Sequence, residues 1–211
     1  MQAARGASLN SSEPAHPPAD RPRVSGARPR CLALLAGVAL VGYAVDVTTK
    51  ILAVEHLTGR APVSVVGDLL TLRLARNPGA AFSTGTSYTL VLTLVAIAAA
   101  CAVLWFSRRL RSTGWAVGLG FLLAGILGNL TDRVFRSPGF LEGHVVDFLR
   151  LPNWPIFNVA DMCINVAAAL IILQAVRGIA LSGARATSTS ATDDTSAGDG
   201  RRAGGPDEPV S

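Results

Sequence analysis

Two polar clusters, Val145-Val-Asp147-Phe148 and Phe157-Asn158-Val-Ala-Asp161, sit between apolar stretches long enough to cross a bilayer. A carboxylate in or beside hydrocarbon costs about 3 kcal/mol or more unless it is paired or faces a wet cavity, so each marks a functional site by default. Pro152 and Pro155 lie between them and prevent a continuous helix, so the chain can turn back and bring the two carboxylates together. Two close carboxylates cannot both ionise readily, and one proton is then shared. The ionised partner can take a proton from water while the protonated one hydrogen-bonds a scissile carbonyl. This spacing predicts amide hydrolysis by paired acids, without a metal and without a cofactor. Asp147 follows two valines and precedes Phe148-Leu149, an apolar boundary at which desolvation raises a carboxyl pKa.

Other polar residues fall at helical spacings. Asp46 and Lys50 are four apart and stack on one helix face, either as a structural ion pair or as a contact to the substrate or its site. Lys50 is the only lysine in a chain that otherwise uses arginine, which suits a position needing a compact ammonium. In Gly128-Asn129-Leu-Thr-Asp132-Arg133 the offsets place Asn129, Asp132 and Arg133 on one face at a helix end, with Arg133 placed to pair with Asp132. Spacing alone leaves Asp132 open as the second catalytic carboxylate. Asn158, Asp161 and Asn165 recur as a polar stripe that must face the protein interior or water, with Asn165 suited to interhelical hydrogen bonding. His16, His56 and His144 form no His-Glu-x-x-His pair, although His144 lies close enough to Asp147 to modulate it. No Gly-x-Ser-x-Gly elbow is present. Cys31, Cys101 and Cys163 fall in apolar segments without ligand-like spacing and read as packing residues.

The elements that position these groups follow from composition. Of 211 residues half are hydrophobic, only 16% are charged and the mean hydropathy is +0.41, an integral membrane protein. Aromatics are 6%, and the apolar mass is Leu, Val and Ala, which suits helices in lipid better than an aromatic-girdled barrel. The net charge of +5 is gathered beside apolar stretches instead of forming a groove with interleaved aromatics, so no nucleic-acid partner is expected. Spans are expected from Cys31 to about Val54, from Tyr88 to Phe106, from Ser112 to Thr131 and from about Phe157 to Val176. The basic stretch ahead of Cys31 also admits a secretory signal peptide, with Val41-Gly-Tyr-Ala44 as a poor cleavage site.

An even number of spans puts both termini on one side. Arg108, Arg109, Arg111, Arg177 and Arg185 mark that side as cytoplasmic, against Arg60, Arg73, Arg76, Arg136 and Arg150 on the other. Trp105 and Trp115 flank the cytoplasmic loop as an aromatic belt would. Thr71-Leu-Arg-Leu-Ala-Arg76 alternates polar with apolar, which predicts a small extracytoplasmic β element. The fold class is therefore an all-α membrane protein of four transmembrane helices with that β element added. Residues 1–30 form a disordered basic arm, 31–180 the membrane domain and 181–211 a disordered tail.

Five motifs in this order, Asp46-x-x-x-Lys50, Asn77-Pro-Gly-Ala-Ala-Phe-Ser83, Gly128-Asn-Leu-Thr-Asp-Arg133, Val145-Val-Asp-Phe148 and Phe157-Asn-Val-Ala-Asp161, closely resemble the bacterial lipoprotein signal peptidases, or signal peptidase II. The resemblance covers about residues 31–180. It implies an intramembrane aspartic endopeptidase of the bacterial cell membrane that cuts prolipoproteins just before a diacylglyceryl-modified cysteine and is blocked by the cyclic peptide globomycin. It implies Asp147 and Asp161 as the dyad and decides against Asp132. Asn77, Asn129, Arg133 and Asn158 match residues lining the substrate and inhibitor site, and Asp46, Lys50 and Asp132 match residues supporting it. Met162 stands where a small residue commonly follows the last aspartate, Asn165 adds polarity, and the segment between the aspartates is short; all three bear on pocket shape. The reading from another class is a small transporter or channel, in which Asp46, Asp132, Asp147 and Asp161 form a proton or cation relay through the membrane.

Overall fold

A computed structural model of the chain describes residues 27–79 and 87–185. Residues 1–26, the Ala80-Ala-Phe-Ser83 half of the Asn77 motif and residues 186–211 lie outside the described residues, and with them most of the expected arm and tail.

Among the described residues, four helices are long and apolar enough to cross a membrane. They are α1 (Ala27–Leu57), α2 (Ser87–Ser107), α3 (Thr113–Phe135) and α4 (Val159–Val176). α2, α3 and α4 are proline-free apolar runs, and the one proline of α1, Pro29, lies in its first turn, where no intrahelical N–H bond is lost; α1, at 31 residues, is about 46 Å long, more than the hydrocarbon thickness it must cross. The buried residues of α1, Cys31, Leu35, Ala39, Asp46, Lys50, Ala53 and Leu57, recur every three, four or seven positions and form one stripe. The first half of the stripe packs apolar against apolar. The second half carries Asp46 and Lys50 into the protein interior.

The central helix is α3, which packs against the other three and most extensively against α4 and α1. Small residues make this possible, because helices in lipid associate by close packing. A Cβ on Gly125 would meet the Ile164 side chain at 2.6 Å and the Ala160 carbonyl closer still. At Gly128 it would run into the Asp46 carboxylate and lie 3.1 Å from the Ala160 Cβ. Gly128 is thus the point at which α1, α3 and α4 converge.

Three antiparallel strands, β1 (Val63–Val66), β2 (Leu70–Asn77) and β3 (Val145–Arg150), form a sheet in that order. The predicted alternating strand is β2. β3 is not announced by alternation, because Val145, Val146, Asp147 and Phe148 are all buried and a strand covered on both faces has no polar side. Asp147 therefore sits on a strand opposite Ala75. The return through Pro152 and Pro155 is as expected, and Leu149 then pairs with Phe157 through hydrogen bonds of 2.8 and 2.9 Å.

Two helix boundaries position the chemistry. α3 continues one turn past the expected stop at Thr131, so Asp132 and Arg133 lie in its last turn and the Arg136 N–H caps the Asp132 carbonyl. α4 starts with a capping box: the Asn158 side chain accepts from the Asp161 N–H at 3.0 Å, and the Asp161 carboxylate accepts from the Asn158 N–H at 3.2 Å.

Candidate active site

The end of α3, the start of α4 and the β2–β3 pair meet around Asp147 and Asp161. Asp147, 2% exposed, accepts from Asn77 Nδ2 at 3.0 Å on Oδ2 and from Asn158 Nδ2 at 2.6 Å on Oδ1. Asp161 accepts from Asn129 Nδ2 at 2.9 Å on Oδ1 and from the Asn158 N–H on Oδ2. Asn158, wholly buried, thus touches both carboxylates, one through its side chain and one through its backbone.

Each of the three amides has its oxygen engaged elsewhere, which fixes which end faces a carboxylate. Asn77 Oδ1 accepts from the Gly79 N–H at 2.7 Å, closing a turn in which Gly79 has φ +92°, a conformation side chains disfavour. Asn129 Oδ1 accepts from Lys50 Nζ at 2.9 Å and from Asn158 Nδ2 at 3.2 Å. Asn158 Oδ1 caps α4. A side chain lacking either the donor or the acceptor could not serve at these positions.

Beneath the amides lies a buried ionic layer. Lys50 Nζ is 2.9 Å from both Asp46 Oδ2 and Asp132 Oδ2, and Arg136 Nε pairs with Asp132 Oδ1. The approach to Asp46 Oδ2 is an ion pair by distance but is not aligned as a hydrogen bond; the aligned donation of the ammonium goes to Asn129. Each supporting carboxylate also holds backbone next to a member of the pair. Asp132 Oδ2 accepts from the Val146 N–H at 3.1 Å, beside Asp147, and Asp46 Oδ1 accepts from the Ala160 N–H at 2.7 Å, beside Asp161. Lys50 bridges these two supports and so ties the backbone of one aspartate to that of the other.

Burial is the main influence on Asp147 and pushes its pKa from 3.8 up to about 6. The Asn77 hydrogen bond opposes this, the negative charge of Asp161 adds to it, and the Asn158 hydrogen bond and Lys50 charge pull back. The Asp161 contribution means that the two carboxylates feel one another. Among the described residues, no three His, Cys, Asp or Glu side chains converge as a metal ligand set.

The nine residues expected to form or support the site, Asp46, Lys50, Asn77, Asn129, Asp132, Arg133, Asp147, Asn158 and Asp161, gather at this junction. The carboxylates form one cluster instead of a series through the membrane, an arrangement unsuited to a relay. Arg133 does not pair with Asp132. Continuation of α3 brings Arg136 to that carboxylate at i+4, and Arg133 is instead buried near Gly79, its Nη1 without a partner among the described residues. Its guanidinium charge lies within Coulombic reach of Asp147, Asp132 and Asp161. Asn165 departs from the inward stripe: it is exposed on α4 and bonds none of the described side chains, because its position turns away from α3. Met162 is also exposed and stands outside the carboxylate cluster. The His144 N–H bonds the Ser137 carbonyl, and no bond joins its ring to Asp147. Trp115, expected in the aromatic belt, donates to the Ile179 carbonyl at 2.7 Å, whereas exposed Trp105 stacks beneath Arg108. Arg136 and the two backbone anchors were not anticipated. The i+4 spacing from Asp132 was the only local signal for Arg136, and nothing in the spacing announces the anchors.

Known proteins are similar to this chain in sequence and fold. A family model described as signal peptidase (SPase) II matches residues 38–177. A lipoprotein signal peptidase of Mycobacterium avium (strain 104) is 50% identical over 161 residues, covering 76% of this chain and 85% of that protein. Its namesake in Mycolicibacterium smegmatis is 51% identical over 170 residues, covering 79% and 72%. Two solved structures of bacterial membrane enzymes, obtained by the in meso method, superpose with TM-scores of 0.57 and 0.59 at 25% and 26% identity. Each covers 69% of this chain, which in turn covers 88% and 94% of theirs. The match spans all four helices and both halves of the aspartate cluster, and the chain therefore belongs to the signal peptidase II family.

Proposed function

We propose that this chain removes signal peptides from prolipoproteins, with Asp147 and Asp161 as its catalytic dyad. The observation that carries the assignment is Asn158, whose side chain holds Asp147 while its backbone holds Asp161. Asp147, raised to about 6 by burial, carries the shared proton and hydrogen-bonds the scissile carbonyl. Asp161, at the positive end of α4, takes a proton from water as the water oxygen attacks the carbonyl carbon. Collapse of the tetrahedral intermediate breaks the C–N bond, and the proton held by Asp161 leaves on the amine of the cysteine.

Asn77, Asn129 and Asn158 orient the dyad and, with Arg133, line the substrate site, where the buried guanidinium places positive charge near both aspartates. Asp46, Lys50 and Asp132 hold the backbone beneath. The peptidase unit is residues 31–180, with flanking arms 1–30 and 181–211. Both termini are cytoplasmic and the dyad lies near the extracytoplasmic surface. The substrate is a diacylglyceryl-modified prolipoprotein, whose acyl chains set the depth of the peptide bond in the bilayer, so membrane lipid is part of recognition. Globomycin competes for the same site.

Purified full chain should release the signal peptide from a synthetic prolipoprotein peptide bearing diacylglyceryl-cysteine, with globomycin blocking release. Mass spectrometry should place the new N-terminus at that cysteine. Equal cleavage of the unlipidated peptide, or cutting elsewhere, would contradict the assignment.

A further inference from the structure

Three arginines on the side opposite the cytoplasmic basic residues have no part in the peptidase chemistry. Arg60, Arg73 and Arg76 line one open cavity of about 530 Å³ together with Leu57, Thr58 and Leu74, where α1 ends against the sheet. No acidic side chain lines it, and none of the three arginines forms an ion pair among the described residues.

The convergence is built into the strand. Residues three apart on a regular strand project from opposite faces. Between the pairs Leu72–Leu149 and Ala75–Asp147, however, β2 advances three residues while β3 advances two, so β2 carries one extra residue. This bulge turns Arg73 and Arg76 toward the same cavity, the kind of re-aiming for which bulges are used. Beside them Val63, Val65, Val66 and Leu69 are exposed on the β1–β2 hairpin, an apolar edge suited to the boundary between headgroups and acyl chains.

We infer that Arg60, Arg73 and Arg76 hold the phosphodiester headgroup of an anionic phospholipid. Guanidinium forks match phosphate oxygens. The cavity lies at the C-terminal end of α1, a helix long and apolar enough to cross a membrane, so the phosphate at hand is that of a lipid. The site also accounts for arginines that run against the cytoplasmic charge bias of the chain. Asn77 ends the same strand and bonds Asp147, so a bound headgroup would fix β2 against the membrane next to the dyad. The inference needs membrane insertion but does not depend on the peptidase assignment.

The test uses full-length protein in a neutral detergent and short-chain dihexanoyl lipids, with thermal unfolding followed against lipid concentration. Dihexanoyl phosphatidylglycerol should stabilise the protein in a saturable way, and dihexanoyl phosphatidylcholine should not. Arg73→Gln and Arg76→Gln should each weaken phosphatidylglycerol binding about fivefold, the value of one arginine near an anionic lipid surface. Arg60→Gln, outside the strands, should do the same even if a strand variant fails to fold. Arg150→Gln removes the same charge from the sheet but does not line the cavity, and should bind as the parent does. Equal stabilisation by phosphatidylcholine, by inorganic phosphate or by a glutamate peptide would overturn the lipid assignment. Equal weakening by Arg150→Gln would reduce it to general charge and overturn it as well.

Discussion

Protonation of Asp147 should make the fold more stable in acid. Its carboxyl moves from 3.8 to about 6 on folding, chiefly by burial, so the folded chain binds the proton more tightly than the unfolded chain. The stabilisation is therefore complete below 3.8 and lost as pH rises through about 6. Its full extent is about 3 kcal/mol, of which about 1.4 kcal/mol is recovered between about pH 8 and about pH 5. For a chain of this size that corresponds to a rise in Tm of roughly 3 to 6 °C. Asp147→Asn lacks the titrating proton but keeps the shape of the side chain. The assay is thermal unfolding of parent and variant in the same detergent, followed by tryptophan fluorescence. The parent should gain those degrees relative to the variant on acidification, and parallel curves would refute the assignment of the raised carboxyl to Asp147.

In the proposed mechanism the same proton takes part in turnover, so kcat/KM should fall above an apparent pKa of about 6 in a pH profile taken with lipidated peptide; constant activity to high pH would contradict a shared proton. Lys50→Met leaves Asp46 and Asp132 without their bridge and should cost about 3 to 5 kcal/mol, read as a large drop in Tm; an unchanged Tm would mean the ionic layer bears no weight. Gly128→Ala places a methyl against the Asp46 carboxylate and should cost about 1 to 3 kcal/mol of stability by overpacking, with loss of activity. A variant as stable and active as the parent would show that the three helices do not converge as described.

The helical frame was legible because hydrocarbon imposes length and polarity on any segment that crosses it, and all four spans stand where apolar runs placed them. β2 was legible through its alternation, whereas β3 was not, since Val146 and Asp147 are both buried and the strand shows no polar face. Misjudging the end of α3 had one source. Asp132 and Arg133 look like residues leaving the membrane, yet both are buried, and the helix continues to bring Arg136 onto Asp132. Asn165 erred in the opposite direction: helical spacing grouped it with Asn158 and Asp161, but the turn at which α4 contacts its neighbours leaves it outside. The support beneath the dyad was beyond reach of any local pattern. Asp46 holds the Ala160 N–H across 114 positions of sequence, and only packing at Gly128 brings the two together.

The most direct measurement is turnover of a diacylglyceryl-modified preprotein by Asp147→Asn and Asp161→Asn, each compared with the parent at equal folded concentration. Both variants should lose nearly all cleavage while still unfolding cooperatively and still gaining Tm with globomycin. Undiminished cleavage by either one would contradict the paired-acid mechanism.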